Sequence, residues 1–353
     1  LPLSLRIANA IVTYLQYIKM MVWPMHLSFF YPISDTLSMF QVAVSGLTLV
    51  CITIFCFLTA KKHPYLVVGW LWYIFTLIPV IGLVQVGRQA MADRYTYVPF
   101  IGLYIMIAWG GATMAEKWRV PKIGLATLMG ILFLPLGIVS WESVQYWKNS
   151  ISLYEQAIRS TRNNYIAHYN LANALFNQGR MDESLPHYIE TVRIKPYYYP
   201  SAHFNLGYIL AQKGKFNDAS KQLECVLKVN PGNAKAHNTL GNIMFQQGDT
   251  VGAQEHFSEA LEINPDYSDA HNNLGNVLFR EGRYTEAIRH YREALRVEPE
   301  KAITHLNLSN ALATQKQFDE ALFHCSEALR INPSLTLAKK NMNQIQLILQ
   351  NRQ

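Results

Sequence analysis

The sequence predicts an all-α protein in which a polytopic transmembrane helix bundle is followed by an α-solenoid. Long apolar runs dominate the first 145 residues, whereas residues 146–353 repeat with a period near 34. Within each repeat, apolar residues recur at steps of three and four, which is typical of helices. We therefore expect a membrane domain over residues 1–145 and a repeat domain over residues 146–353.

Four apolar runs carry the prediction of a membrane domain with about four transmembrane helices. They are Leu37–Thr59, Pro64–Val84, Tyr97–Met114 and Ile123–Trp141. Each is about long enough to cross a hydrocarbon core of roughly 30 Å. The alternative is a set of buried helices in a large soluble domain. Because the runs are nearly free of charge and follow one another directly, membrane spans are the favoured interpretation.

The first segment, Leu1–Trp23, is less apolar than these runs. Its polar residues are Arg6, Asn9, Gln16 and Lys19. We expect an interfacial or cavity-facing helix that ends at Trp23-Pro24. Since the chain begins with Leu1 just before a membrane helix, we also expect a further amino-terminal part to precede it.

The net charge of +7 lies mostly in the membrane domain. The first 150 residues hold 10 basic and 4 acidic residues, and the remainder holds 21 and 20. A neutral solenoid offers no phosphate-binding patch, so nucleic acid is excluded as a partner. Basic links at Lys61-Lys62 and Lys117–Lys122 belong on the cytoplasmic side. The repeats then lie in the periplasm, or in the lumen of a eukaryotic organelle.

Five histidines mark the repeats: His168, His203, His237, His271 and His305, at intervals of 35, 34, 34 and 34 residues. In the unit from Ala234 to Tyr267, Gly248 separates two predicted helices and Pro265 follows the second. Glycine permits the left-handed backbone of a tight turn, and proline cannot continue a helix. A repeat of two helices must stack on its neighbours to bury its apolar face.

These positions resemble the tetratricopeptide repeat over about Tyr165–Leu335. The resemblance implies about five repeats, each a pair of helices A and B. The last unit departs from the pattern, with Lys316 at the turn glycine and Cys325 at the helix B aromatic. Residues Ser334–Gln353 read as a capping helix, and Trp147–Thr161 as a degenerate first half-repeat.

The histidines are interpreted as packing residues, because helices of successive repeats lie about 8–10 Å apart and cannot share one ion. The four cysteines show no CxxC or His/Cys ligand spacing. The sequence therefore predicts no metal site and no disulfide framework. It also has no Walker loop, dinucleotide-binding glycine pattern or Ser/His/Asp spacing, so no cofactor is predicted.

Asparagines beside the histidines form the predicted peptide-binding groove on helix A. The candidate residues are Asn170, Asn173, Asn205, Asn242, Asn273, Asn276, Asn307, Asn310, Phe245 and Phe279. Positions three or four apart share one helix face, and an amide can both donate to and accept from a peptide backbone. This stripe resembles the asparagine ladder of the nucleocytoplasmic O-linked N-acetylglucosamine transferase. The alternative is that the amides only tie neighbouring repeats together.

Three stretches of the membrane domain resemble bacterial proteins related to the eukaryotic transmembrane-and-tetratricopeptide proteins. They are residues 3–10, Trp23-Pro24 with Phe30-Tyr31-Pro32, and residues 92–99, which read Ala-Asp-Arg-Tyr-Thr-Tyr-Val-Pro. That group is similar to polytopic glycosyltransferases that use a lipid-phosphate sugar, among them protein O-mannosyltransferases. The resemblance implies a polyprenyl-phosphate sugar as a lipid partner.

The resemblance leaves Arg88, Asp93 and Arg94 as candidate donor-phosphate residues. Two arginines can hold a phosphate through charge-assisted hydrogen bonds, and Asp93 can orient Arg94. The catalytic acidic residue of such enzymes has no counterpart here. The competing interpretation is that these arginines reach to lipid headgroups beside an aromatic belt. Two functions remain open: a membrane-anchored protein that binds extended polypeptide, and the carboxy-terminal part of a protein O-glycosyltransferase.

Overall fold

The computed structural model describes residues 2–22, 28, 31–32, 37–81, 89–91 and 95–350. By its internal contacts the chain divides into two compact units, Leu1–Pro196 and Tyr197–Gln353. Both are helical, as predicted. A short antiparallel pair, β1 (Tyr31–Pro32) with β2 (Gln89–Met91), is the sheet structure found in these residues.

The first unit begins with five helices of the predicted membrane domain. They are α1 (Leu3–Val22), α2 (Met39–Leu58), α3 (Pro64–Leu77), α4 (Tyr97–Lys117) and α5 (Lys122–Gln145). Among the described residues, α2, α4 and the segment Lys122–Lys148 are long and apolar enough to cross a membrane. This composition indicates membrane association. The run predicted from Pro64 forms a helix of only 14 residues, and residues 82–84 lie outside the described ones.

Aromatic residues hold α1 and α3 together. Tyr17 and Tyr73 are fully buried, and the Tyr73 hydroxyl donates to the Tyr14 carbonyl oxygen at 2.6 Å. The Tyr14 hydroxyl in turn donates to the Ile74 carbonyl oxygen at 2.8 Å. Since each buried hydroxyl has a backbone acceptor, it is satisfied without water. The polar first segment therefore packs its tyrosines into the bundle through α1.

Two glycines set the closest approach within the bundle, between α3 and α4. A Cβ on Gly69 would lie 2.3 Å from the Gly102 carbonyl oxygen, and a Cβ on Gly102 would lie 2.3 Å from the Gly69 carbonyl oxygen. Small residues at helix crossings allow backbones to approach closely in apolar surroundings. This pair fixes where α3 and α4 cross.

The repeats supply the remaining helices. In the first unit these are α6 (Ser150–Ser160), α7 (Tyr165–Asn177) and α8 (Met181–Ile194), preceded by a 3₁₀ turn, Tyr146–Lys148. In the second unit they are α9 (Pro200–Gln212), α10 (Phe216–Val229), α11 (Ala234–Gln247), α12 (Thr250–Ile263), α13 (Ser268–Arg280), α14 (Tyr284–Val297), α15 (Ala302–Thr314), α16 (Phe318–Ile331) and α17 (Thr336–Gln350). Odd-numbered helices α7 to α15 are the A helices, and their even-numbered partners α8 to α16 are the B helices.

The turn and end signals act as predicted. Gly248 has φ of +88°, and the other turn glycines, Gly179, Gly214 and Gly282, also have positive φ. Lys316 adopts φ of +62° at the same position, although it carries a side chain. Each B helix ends two residues before its proline. Helix α17 caps the last repeat, burying Ala338 and Ile345.

Candidate functional site

The predicted groove residues of the second unit belong to a connected set of asparagines on α11, α13 and α15. We call it the amide ladder; its members are Asn238, Asn272, Asn273, Asn276, Asn307, Asn310 and Asn341. The groove runs along A helices because the asparagines recur at one helical position in each repeat. Their hydrogen bonds join each repeat to the next.

Asn273 and Asn307 are the donors that link A helices. Asn273 Nδ2 donates to Asn238 Oδ1 at 3.0 Å. Asn307 Nδ2 donates to both Asn272 Oδ1 and Asn276 Oδ1, each at 3.0 Å. At the end of the solenoid, Asn341 Nδ2 donates to Asn310 Oδ1. The amides therefore do tie neighbouring repeats together, which is the structural role left open by the sequence.

These bonds use only part of the hydrogen-bonding capacity of the ladder. The oxygen of Asn276 accepts from Asn307 and also from the Tyr291 hydroxyl at 2.9 Å, so its orientation is fixed. Its amino group makes no hydrogen bond with any described residue. In the first unit, Asn173 Oδ1 accepts from the Tyr188 hydroxyl at 2.7 Å. Each tyrosine thus directs an amide oxygen inward and leaves the amino group as a donor.

Asn242 lies at the same position on α11, but its partner on α12 is Phe257, which has no hydroxyl. The Asn242 side chain is half-buried and makes no hydrogen bond among the described residues. Asn170 and Asn205 are half-buried on α7 and α9 respectively. Donors and acceptors on one helix face can serve an extended peptide, whose backbone presents both.

The predicted aromatic residues contact other side chains as well. The Arg280 guanidinium lies over the Phe245 ring, 5.3 Å from its centroid. Phe279 meets Tyr284 edge to face, with ring centroids 5.3 Å apart. Both phenylalanines are half-buried and pack against the core of the second unit. They therefore carry structural contacts beside the amides.

The histidines are packed between helices, as interpreted, but their partners were not foreseen. In four repeats the A helix histidine faces a second histidine 19 residues later on helix B, with Nδ1 atoms 2.9–3.1 Å apart. The pairs are His168–His187, His237–His256, His271–His290 and His305–His324. In the remaining repeat, His203 Nδ1 bonds to Gln222 Oε1 at 2.8 Å. The constant offset of 19 was the available signal in the sequence.

Pairing keeps these imidazoles neutral. Burial, followed by the neighbouring imidazole, lowers the pKa of His168, His290 and His324 to about 4. Two rings that meet through Nδ1 share one proton, since two protonated rings would repel at this distance. The pairs are therefore hydrogen-bonded packing elements near neutral pH.

The candidate donor-phosphate residues Arg88, Asp93 and Arg94 lie outside the described residues. The adjacent helix α4 begins at Tyr97, with Thr96 as its N-cap. The role assigned to the three residues stays a prediction from sequence.

Tetratricopeptide-repeat models match residues 147–199, 207–248, 241–282 and 266–334. The chain therefore contains tetratricopeptide repeats. The crystal structure of the APC/C hetero-tetramer Cut9-Hcn1 aligns with a TM-score of 0.50 and 16% identity, covering 84% of this chain and 55% of that chain. This likeness shows the fold.

Curated relatives of the chain include protein O-mannosyl-transferases of animals. Protein O-mannosyl-transferase TMTC1 of Homo sapiens is 30% identical over 169 residues, which are 47% of this chain and 18% of that protein. Protein O-mannosyl-transferase Tmtc3 of Drosophila melanogaster is 25% identical over 141 residues, 38% of this chain and 15% of that protein. The aligned part of the chain thus spans less than a fifth of the length of these relatives.

Proposed function

We propose that the chain is a multi-pass membrane protein whose tetratricopeptide repeats bind an extended polypeptide on the periplasmic or lumenal side. The observation that carries this proposal is the set of amide groups held in fixed orientations on α11 and α13. A tetratricopeptide scaffold is a protein-interaction module, and the apolar helices anchor it. The basic links at Lys61-Lys62 and Lys117–Lys122 support cytoplasmic ends opposite the repeats.

Fixed amides support binding of the peptide backbone because their ordering cost is already met within the folded protein. The Asn276 amino group points where Tyr291 and Asn307 leave it, as its oxygen is held by both. Asn242 adds an amide without a competing partner among the described residues. Preorganised groups lose less entropy on binding than mobile ones. Contacts to the backbone hold a polypeptide with little dependence on its sequence.

The experiment separates peptide binding from ladder stability. Asn276→Asp keeps the oxygen that accepts from Tyr291 and Asn307 but removes the amino group; Asn242→Ala removes an amide outside the ladder. Reduced and alkylated α-lactalbumin, a permanently unfolded chain, serves as a fluorescent probe for anisotropy titration of the full chain in detergent. We expect the double variant to bind roughly tenfold more weakly, since each lost hydrogen bond contributes about 1 kcal/mol.

The control is Asn217→Ala, which removes an exposed amide from the B helix α10. It is expected to bind the probe as tightly as the unmodified chain does. Circular dichroism checks that all variants keep their helical content. Unchanged binding by the Asn242→Ala/Asn276→Asp variant would contradict the proposal.

A second candidate function is favoured by the protein O-mannosyl-transferase relatives. In this alternative, the chain is part of a membrane enzyme that transfers a sugar from a polyprenyl-phosphate donor, and the repeats present the acceptor polypeptide. Arg88 and Arg94 would bind the donor phosphate, with Asp93 orienting Arg94. The 30% identity to the human relative over 47% of this chain supports it.

Arg94→Ala tests this alternative in the full-length protein, since loss of a charge-assisted phosphate contact weakens donor binding. Transfer of radiolabelled mannose from polyprenyl-phosphate mannose is expected to fall by at least about tenfold, from a hydrogen bond to a charged group of about 1.5–3 kcal/mol. Arg119→Ala removes a basic residue from the link between α4 and α5 and should leave transfer unchanged. Equal rates in both variants would argue that Arg94 only contacts lipid headgroups.

A further inference from the structure

Three side chains meet at one point in the third repeat: His237 on α11, and His256 and Glu259 on α12. The two Nδ1 atoms are 3.1 Å apart, and Glu259 Oε2 lies 2.7 Å from His237 Nδ1 and 3.0 Å from His256 Nδ1. We propose that this triad binds a divalent transition-metal ion, with Zn²⁺ as a fitting member of the class. The arrangement goes beyond polypeptide binding and lies within a single repeat.

The protonation pattern of His237 prepares it as a ligand. Its Nε2 lies 3.0 Å from the carbonyl oxygen of Pro231, and a carbonyl only accepts, so Nε2 carries the proton in the neutral ring. The Nδ1 lone pair then faces His256 and Glu259. Histidines that ligate metals usually donate their other ring N–H to a carbonyl or carboxylate, which fixes the ring.

The triad holds fewer protons than its contacts require. His237 Nδ1 and the Glu259 carboxylate are both acceptors, yet they lie 2.7 Å apart. When both rings are neutral, the proton on His256 Nδ1 is the one available to the three atoms. A cation between them satisfies all three lone pairs. Two imidazole nitrogens and one carboxylate oxygen form a ligand set used by zinc sites that keep a fourth position for water.

The neighbouring repeats show why the site occurs here. Each histidine pair has a glutamate three residues after its second histidine, but elsewhere an arginine three residues further on takes that carboxylate. The ion pairs are Glu190–Arg193, Glu293–Arg296 and Glu327–Arg330, with shortest distances of 2.6, 2.8 and 2.9 Å. In the third repeat that position is Glu262, which has no positive charge. The Glu259 carboxylate therefore turns to the histidines.

The geometry and exposure allow an ion to enter. Ligands of a tetrahedral Zn²⁺, at about 2.0–2.1 Å from the metal, lie roughly 3.3 Å from each other. The three distances here need to widen by a few tenths of an ångström. His237 is 11% exposed, His256 22% and Glu259 51%, so the flexible carboxylate lies at the solvent side and can adjust. The ring held by Pro231 forms the inner wall.

Zn²⁺ alone is the probe, added to the full chain in detergent at pH 7.5 and measured by isothermal titration calorimetry, with Co²⁺ absorption reporting coordination. We expect one ion per chain at this site. Glu259→Gln should weaken binding by at least about tenfold, the scale seen when groups around a metal are removed. Glu262→Arg recreates the sister repeats and should weaken binding similarly by pairing with Glu259.

Glu293→Gln is the matched control, since its carboxylate is held by Arg296 in the next repeat. It should leave both affinity and stoichiometry unchanged. Because Glu259 and Glu262 lie at the surface, their replacement should preserve helical content, which circular dichroism checks. Absence of Zn²⁺ binding, or equal affinities for the unmodified chain and both third-repeat variants, would overturn the proposal.

Discussion

Asparagine and histidine side chains recur at fixed positions in the repeats, yet their roles depend on the residue that each one meets. Asn276 is oriented by a tyrosine hydroxyl, while Asn242 faces a phenylalanine and keeps its amide unbonded among the described residues. His271 pairs with one imidazole, whereas His237 meets an imidazole and a carboxylate. Single substitutions on helix B therefore determine what each A helix residue can do.

At the residue scale, the histidine pairs predict destabilisation by acid. Burial lowers the pKa of His290 and His324 to about 4 in the folded chain, below the usual value near 6.5. The unfolded chain therefore binds more protons between these values, and the free energy of unfolding falls as the pH drops from about 6.5 to about 4. We expect a loss of about 1 kcal/mol or more per pair, measured by urea unfolding with EDTA present.

The control for this prediction exists within the chain, where Gln222 takes the place of the second histidine. His290→Gln and His324→Gln copy that pairing without a titrating group on helix B. Together they should reduce the slope of unfolding free energy against pH between 4.5 and 6.5. An unchanged slope would show that other groups cause the acid sensitivity.

At the scale of elements, helix A and helix B fit through paired positions. A Cβ on Gly275 would lie 2.6 Å from the Tyr291 ring, and one on Gly241 would lie 2.7 Å from the Phe257 ring. The last repeat has a smaller residue on helix B and a larger one on helix A: Ser309 Oγ lies 3.0 Å from Cys325 Sγ. The two departures from the repeat pattern therefore compensate each other in volume and polarity.

The crossing of α3 and α4 yields a prediction about the membrane helices. Gly102→Ala places a Cβ against the Gly69 carbonyl oxygen and the Trp72 side chain, so the helices must separate. We expect the full chain in detergent to lose roughly 1–3 kcal/mol, the usual cost of overpacking. Thermal unfolding followed by circular dichroism measures the loss as a lower Tm.

Gly111→Ala is the matched variant on the same helix, where a Cβ meets nothing within 4 Å. Alanine favours helix over glycine, so this variant should keep or slightly raise the Tm. Equal Tm values for the two variants would mean that the Gly69–Gly102 approach does not limit packing.

At the scale of the whole molecule, the chain combines two kinds of surface. Apolar helices in the first unit expose large side chains such as Phe133 and Trp141, which suits a lipid environment. The second unit instead carries polar B helices with ion pairs such as Arg292–Glu320 between successive repeats. A protein that presents the repeats beside a membrane, whether scaffold or transferase, needs both surfaces.

The sequence by itself determined the helical fold, the repeat register, the turn glycines and the helix-ending prolines, because these follow from local backbone preferences and periodic burial. It also predicted helices for the four apolar runs; α3 is shorter than a span because its helix ends at Leu77. The amide ladder bonds and the histidine pairs could not be predicted, because they join side chains 15 to 35 residues apart. Only tertiary packing decided that Glu259 meets two histidines, since the choice depends on which charged neighbour a flexible carboxylate can reach.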